Sequence, residues 1–341
     1  MDKKLKTIII FVFLLIVSFG AIFFIYKYYF EQEIIIESTE KDLSEMITID
    51  INKKTLVDKE KNLIYSSTLQ PKFDIFVSED IDIKNLSFQL DDFGDILRKE
   101  FYGEIIQQKE KNGLRLIFTP SFIIKPEKHF LIAKYQYPDK GLLSIKFDFI
   151  LIFNEKFEEQ LERSESWSIP KDRPSEWFKI QDGKLLVQPT TKDAHSSLAF
   201  VYPFNGDVRI DFELTPVGDN ISLVFYFLEF GDFAIGSNDN ERIILFRKDK
   251  PNLYGESFKM LANNRYHICI TKKGFQYKLA IKELNNDELV DPVEQFFSDN
   301  ILLQVNDSSL GAIDKHIGFS VWQNSEGIFI DDIFITSFLN Q

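Results

Sequence analysis

Residues 206–214 read Gly-Asp-Val-Arg-Ile-Asp-Phe-Glu-Leu, with every second residue from Val208 apolar. On an extended backbone Val208, Ile210, Phe212 and Leu214 fall on one side and Arg209, Asp211 and Glu213 on the other, the pattern of a strand with one face on a core. The same alternation recurs in ITIDI, PKFDIFV, LSFQL, LRLIFTP, HFLIAKYQY and LLSIKFDFILIF. It returns later in DGKLLVQP, NISLVFYFLEF, RIILFRK, YHICITK, FQYKLAIKEL, HIGFSVWQ and GIFIDDIFITSF. Asn, Asp, Gly and Pro clusters separate these runs about every ten residues, which predicts an antiparallel sandwich or barrel. Within this region no segment carries a helical period, so an all-β ectodomain is expected.

Ahead of these strands, Thr7–Tyr26 is an unbroken apolar run behind Lys3, Lys4 and Lys6. About twenty such residues cross a bilayer, and the excess of lysine before the run places the N-terminus in the cytoplasm. The expectation is a cytoplasmic tail over 1–6, a transmembrane signal anchor over 7–29 and a juxtamembrane linker over 30–45. A cleaved signal peptide is the alternative, since Ser18-Phe19-Gly20 offers small residues to a peptidase. Either way the remainder is exported, to the cell surface or the periplasm. At about 150 residues per domain it divides into two. The net charge of −13 argues against a nucleic-acid partner, whose phosphates require a basic surface. Cys269 is the sole cysteine, so neither domain is stapled by an internal disulfide and both must rest on apolar burial.

Residues 46–154 resemble a bacterial immunoglobulin-like domain, on the strength of Pro71-Lys72-Phe73-Asp74-Ile75-Phe76-Val77-Ser78-Glu79-Asp80, the strand LSFQLDD and the long stretch LIFTPSFIIKPEKHFLIAKYQYPDKGLLSIKFDFILIF. That resemblance implies a spacer without chemistry of its own. Residues 155–341 resemble the concanavalin A-like, laminin-G-like jelly rolls, including bacterial relatives of 3-keto-disaccharide hydrolases. The residues that carry this are Trp177 through Leu185, Gly206 through Leu214, Asn264-Arg265-Tyr266-His267, and Ile317-Gly318-Phe319 followed by Asp331-Asp332-Ile333. The segments associated with the disaccharide-hydrolase members are not found, so the resemblance implies a fold that hosts lectins, glycan-binding modules, glucanases and adhesive domains alike.

The residues that could carry chemistry are carboxylates, aromatics and hard oxygen ligands. Glu40-Lys41-Asp42-Leu43-Ser44-Glu45 has the E-x-D-x-x-E spelling of a glucanase strand but lies in the linker. Asp211 and Glu213 share a strand face and could form the carboxylate pair of a glycoside hydrolase, or, with Arg209 beside them, an ordinary salt-bridged face. Trp322 shares a face with Gly318 and Ser320, which leaves an aromatic platform for the C–H face of a sugar ring. Tyr226 would extend it, and Arg247, Gln323 and Asn324 would supply hydrogen bonds; the alternative is a Trp322 that only packs. A structural Ca²⁺ could be held by Glu158 and Glu159 with Asp331 or Asp332, although Ca²⁺ takes six to eight oxygens. The four histidines are scattered without zinc spacing.

These readings leave three functions. The leading one is a membrane-anchored extracytoplasmic protein whose jelly roll binds glycan or polysaccharide. The others are a glycoside hydrolase-like enzyme on the same concave face, and a structural envelope or adhesion protein that binds other proteins.

Overall fold

The computed structural model describes residues 40–51, 56–58, 62–92, 94–97, 102–137, 141–157, 166–169, 175–190, 195–200, 204–205, 207–221, 223–226, 233–238, 242–247, 250–292, 300–307, 314–315, 317–322 and 325–336. The described chain is almost wholly β. Its α-helix, Glu40–Met46, is seven residues long and carries the E-x-D-x-x-E string. Among the described residues no helix is long and apolar enough to cross a membrane, and the expected span 7–29 lies outside them.

The chain forms two compact units, one of residues up to 53, 72–121 and 130–148, the other of 54–71, 122–129 and 149–341. The sequence pattern predicts instead a single boundary between 154 and 155. The difference has two sources. Strand Gly141–Glu155 continues unbroken through residue 149. In addition, Leu63–Ser66 pairs in parallel with residues 150–153, from Leu63↔Ile150 to Ser66↔Phe153, which takes an early segment into the later unit.

The first unit contains an antiparallel sheet in the order Ile47–Ile51, Phe73–Ser78, Gly113–Pro120, Gly103–Glu110, together with a pairing of Leu86–Leu90 to residues 131–135. Alternation decides its core. Phe73, Ile75 and Val77 are buried, as are Leu116 and Phe118, and the rings of Phe73 and Phe118 lie 6.0 Å apart. On the opposite side Arg115 holds Asp74 through both guanidinium and carboxylate arms.

The second unit is a sandwich of two sheets. One runs Trp167–Ser168, His195–Phe200, Gly318–Trp322, Leu223–Tyr226, Phe233–Asn238, Arg242–Arg247, Leu253–Tyr254. The other is built on Ile328–Thr336, Val208–Pro216, Tyr266–Lys273, Gln276–Glu283 and Ile301–Asn306, with Lys184–Val187 added beside Ile328–Thr336. Leu198, Phe319 and Leu245 from the first sheet meet Phe212, Ile270 and Ile330 from the second in one apolar cluster. Each such side chain contributes roughly 1.5–3 kcal/mol by leaving water. Phe178–Gln181 joins Lys184–Val187 through Asp182-Gly183, both at positive φ (54° and 75°), the two-residue turn whose twist matches paired strands.

One irregularity sets the whole closing strand. Asp211 pairs with Phe334 but Glu213 with Asp331, so Phe212 faces both Asp332 and Ile333, and Asp332 is left-handed (φ 46°). Strict alternation from Ile328 and Ile330 would turn Asp332 into the core. The bulge absorbs that residue and returns Ile333 and Ile335 to the apolar side.

Candidate functional site

The site begins with the alternation of Gly318–Trp322. Phe319 and Val321 enter the core, so Gly318, Ser320 and Trp322 point outward from the sheet. On one side the register sets His195, Ser197 and Ala199 opposite Trp322, Ser320 and Gly318; on the other it sets Val224 and Tyr226 opposite Ser320 and Gly318. Small residues therefore dominate the middle of this face, and the indole stands at its end. Trp322 is 42% exposed, whereas Ser320 is 7% and Ser197 0% exposed. The small residues are recessed beside a projecting ring, a narrower platform than the open floor expected from the sequence. Ser320 Oγ donates to the carbonyl of Ser196 at 3.4 Å.

Tyr226 stands opposite Gly318, four residues along from Trp322 and so about 13 Å from it, with its side chain outside the described set. Gln323 and Asn324 also lie outside the described residues. Arg247 must be taken out of the site. It lies on the same side of its strand as the core residues Ile243 and Leu245, and its guanidinium is engaged by Asp307 Oδ2 at 2.8 Å and by the carbonyl of Pro251 at 2.9 Å. The run RIILFR is apolar on both sides of its strand, so the sequence could not reveal which way Arg247 faces.

The expected carboxylate pair lies on the outward side of the other sheet and is closed off. Asp211, 0% exposed, receives Arg209 Nε at Oδ2 (2.7 Å) and has His267 Nε2 at Oδ1 (2.8 Å). Burial alone would push its pKa up, but Arg209 and His267 together hold it below the usual carboxylate range. Glu213 is held by Lys184 Nζ (2.7 Å) and Arg265 Nη2 (2.5 Å), which likewise outweigh burial and lower its pKa. The same Arg265 donates to the carbonyls of Asn285, Asn286 and Glu288, clamping that loop to the sheet. A glycosidase needs one carboxyl that keeps its proton near neutrality and a second that reaches the sugar. Asp211 and Glu213 are instead both engaged by fixed side chains, Asp211 by Arg209 and His267 and Glu213 by Lys184 and Arg265. Cys269, paired in register with Asp211, is fully buried, and burial followed by the Asp211 charge pushes its thiol well up, which makes it inert.

Asp331 and Asp332 do not form the expected calcium site with their described neighbours. Lys184 Nζ already lies 3.4 Å from Asp331 and, with Arg265, supplies cations where a metal would need oxygens. Among the described residues no group of three or more His, Cys, Asp or Glu is arranged to hold a metal, and Glu158 and Glu159 lie outside them. Both aspartates instead have pKa values raised, first by burial. A raised carboxyl pKa favours the folded state at low pH, and that contribution is lost as pH rises through the folded pKa. Ionised Asp332 is thus a cost at neutrality. Asp332→Asn removes the charge and tolerates the left-handed backbone, so we expect urea unfolding at pH 7 to show a free energy higher by a few tenths of a kcal/mol, with no such effect near pH 3.

No family model and no characterised relative matches the chain in sequence. Among solved structures it is similar to the carbohydrate-binding module CBM66 from Bacillus subtilis, at 10% identity and a TM-score of 0.36, over 50% of this chain and 96% of that one. A Bacillus subtilis protein of unknown function with a galectin-like fold matches at 10% identity and 0.41, over 54% and 94%. The exoplasmic/lumenal domain of VIP36, in its Ca²⁺/Man-bound form, matches at 8% identity and 0.39, over 51% and 84%. At such identities and scores none of them carries a ligand over to this chain.

Proposed function

We propose that this chain is a carbohydrate-binding protein whose second unit presents Trp322 as a stacking platform for a sugar ring. The observation that carries the reading is an indole 42% exposed at the end of a core-facing strand, beside recessed Ser and Gly residues. A buried packing tryptophan would be closed like Trp177, which is 1% exposed. In this reading the segment 7–29 anchors the chain in the membrane with the N-terminus in the cytoplasm, and both units lie outside. The first unit, read as immunoglobulin-like, acts as the spacer. The ionic pairing of Asp211 and Glu213 disfavours hydrolysis by that pair.

The test uses the full-length chain in mild detergent, incubated with insoluble cellulose, chitin, xylan and purified cell wall. Depletion of the wild type from solution by at least one of these, and of Trp322→Ala by none, is the expected result. Equal depletion of both proteins would move binding off this face.

A further inference from the structure

Residues 72–121 and 130–148 belong to the first unit, yet the segments that flank them, 54–71, 122–129 and 149–341, all belong to the second. The chain therefore leaves the second unit twice and twice returns to it. Each excursion is closed at its stem by contacts inside the second unit. The amide of Ile124 donates to the carbonyl of Leu69 at 2.8 Å, which ties the two ends of 72–121. The amide of Leu151 donates to the carbonyl of Glu127 at 3.0 Å, and the rings of His129 and Phe149 lie 5.4 Å apart, which ties the ends of 130–148. Ends held this close are what an inserted segment needs, because the host can close its core whatever lies beyond the stem.

The early segment is also part of that host core. Leu69 belongs to the apolar cluster of Leu198, Phe212 and Phe319, and Leu63 packs with Ile152, Leu284, Val290 and Phe334. We infer that the second unit is a host built from 54–71, 122–129 and 149–341, that most of the first unit is inserted into it as two excursions, and that tension between the N-terminus and the second unit passes along 40–71. In a chain pulled from its ends, force follows the covalent path, and an excursion with a closed stem feels none until the stem parts. Strand Ile47–Ile51 lies on the path and pairs sideways with the first unit, from Ile47↔Val77 to Ile51↔Phe73. The spacer is thus loaded through one strand, and its other strands stay out of the line of pull. This goes beyond the glycan-binding reading and does not depend on it.

The experiment pulls the full-length chain in mild detergent between its two ends with optical tweezers and reads the length released at each rupture. Two units in series, divided at 154, would release about 110 residues, roughly 380 Å of extended chain, while the second unit stayed folded. The inserted arrangement gives no release above about 100 Å before the rupture that opens the second unit. Leu69→Ala and Leu198→Ala, each at a side chain 1% exposed, should lower the force of that rupture, and Leu116→Ala, at 0% in the first unit, should leave it unaltered. Tryptophan fluorescence confirms before pulling that the second unit of each variant is folded. A release near 380 Å ahead of the second-unit rupture, or a first long rupture weakened by Leu116→Ala, overturns the inference. Neither result touches Trp322, so the glycan-binding reading stands or falls on its own test.

Discussion

Asp211→Ala should destabilise the second unit by about 3–5 kcal/mol, the usual cost of removing one member of a buried charge pair. The loss leaves the Arg209 guanidinium, 11% exposed, and His267, 1% exposed, without the carboxylate between them. All three tryptophans, Trp167, Trp177 and Trp322, belong to this unit, so urea unfolding followed by tryptophan fluorescence reports it alone. The energy lies in the penalty for orphaned charge more than in the pair itself. Replacing Arg209, Asp211 and His267 together by apolar residues of similar volume should therefore cost far less than Asp211→Ala. The acid limb follows from the same geometry. A carboxylate with a depressed folded pKa stabilises above its unfolded value, near 4, and that stabilisation is lost as pH falls through the folded pKa. Wild-type stability should fall steeply below about pH 4, and Asp211→Asn should flatten that fall. A change under about 1 kcal/mol in Asp211→Ala would mean that water reaches the cluster.

Much of this architecture can be read directly from alternation. Val208–Pro216, Ile47–Ile51 and Leu86–Leu90 are strands where the period of two places them, and the outward position of Trp322 follows from Phe319 and Val321 alone. What alternation could not reveal has local causes. Phe233–Asn238 and His195–Phe200 mix small and polar residues, since they flank the recessed face and need no apolar stripe on that side. The pairing of Leu63–Ser66 with residues 150–153 joins segments remote in sequence, which no local pattern encodes. At the closing strand the bulge shifts the period within Asp331-Asp332-Ile333, a place where counting by twos misassigns every later residue.

Trp322→Ala carries the second large effect, at least about a thirtyfold loss of glycan affinity, the scale of a binding hot spot. Because the indole is only partly covered, at 42% exposure, the same change should lower the unfolding free energy by about 1–3 kcal/mol and leave the unit folded. Loss of binding by a variant that remains folded separates a ligand platform from a residue that only packs. Trp322→Phe keeps a smaller flat ring and should retain part of the affinity. If Trp322→Ala instead unfolded the unit, the ring would be part of the fold rather than a surface for a ligand.

The most direct test is a glycan array probed side by side with the full-length wild type and Trp322→Ala, both shown to be folded at the assay temperature. The account predicts that the wild type is retained on a defined group of glycans and that Trp322→Ala is retained on none of them. A wild type that binds no glycan, or a variant that binds the same group equally well, would contradict it.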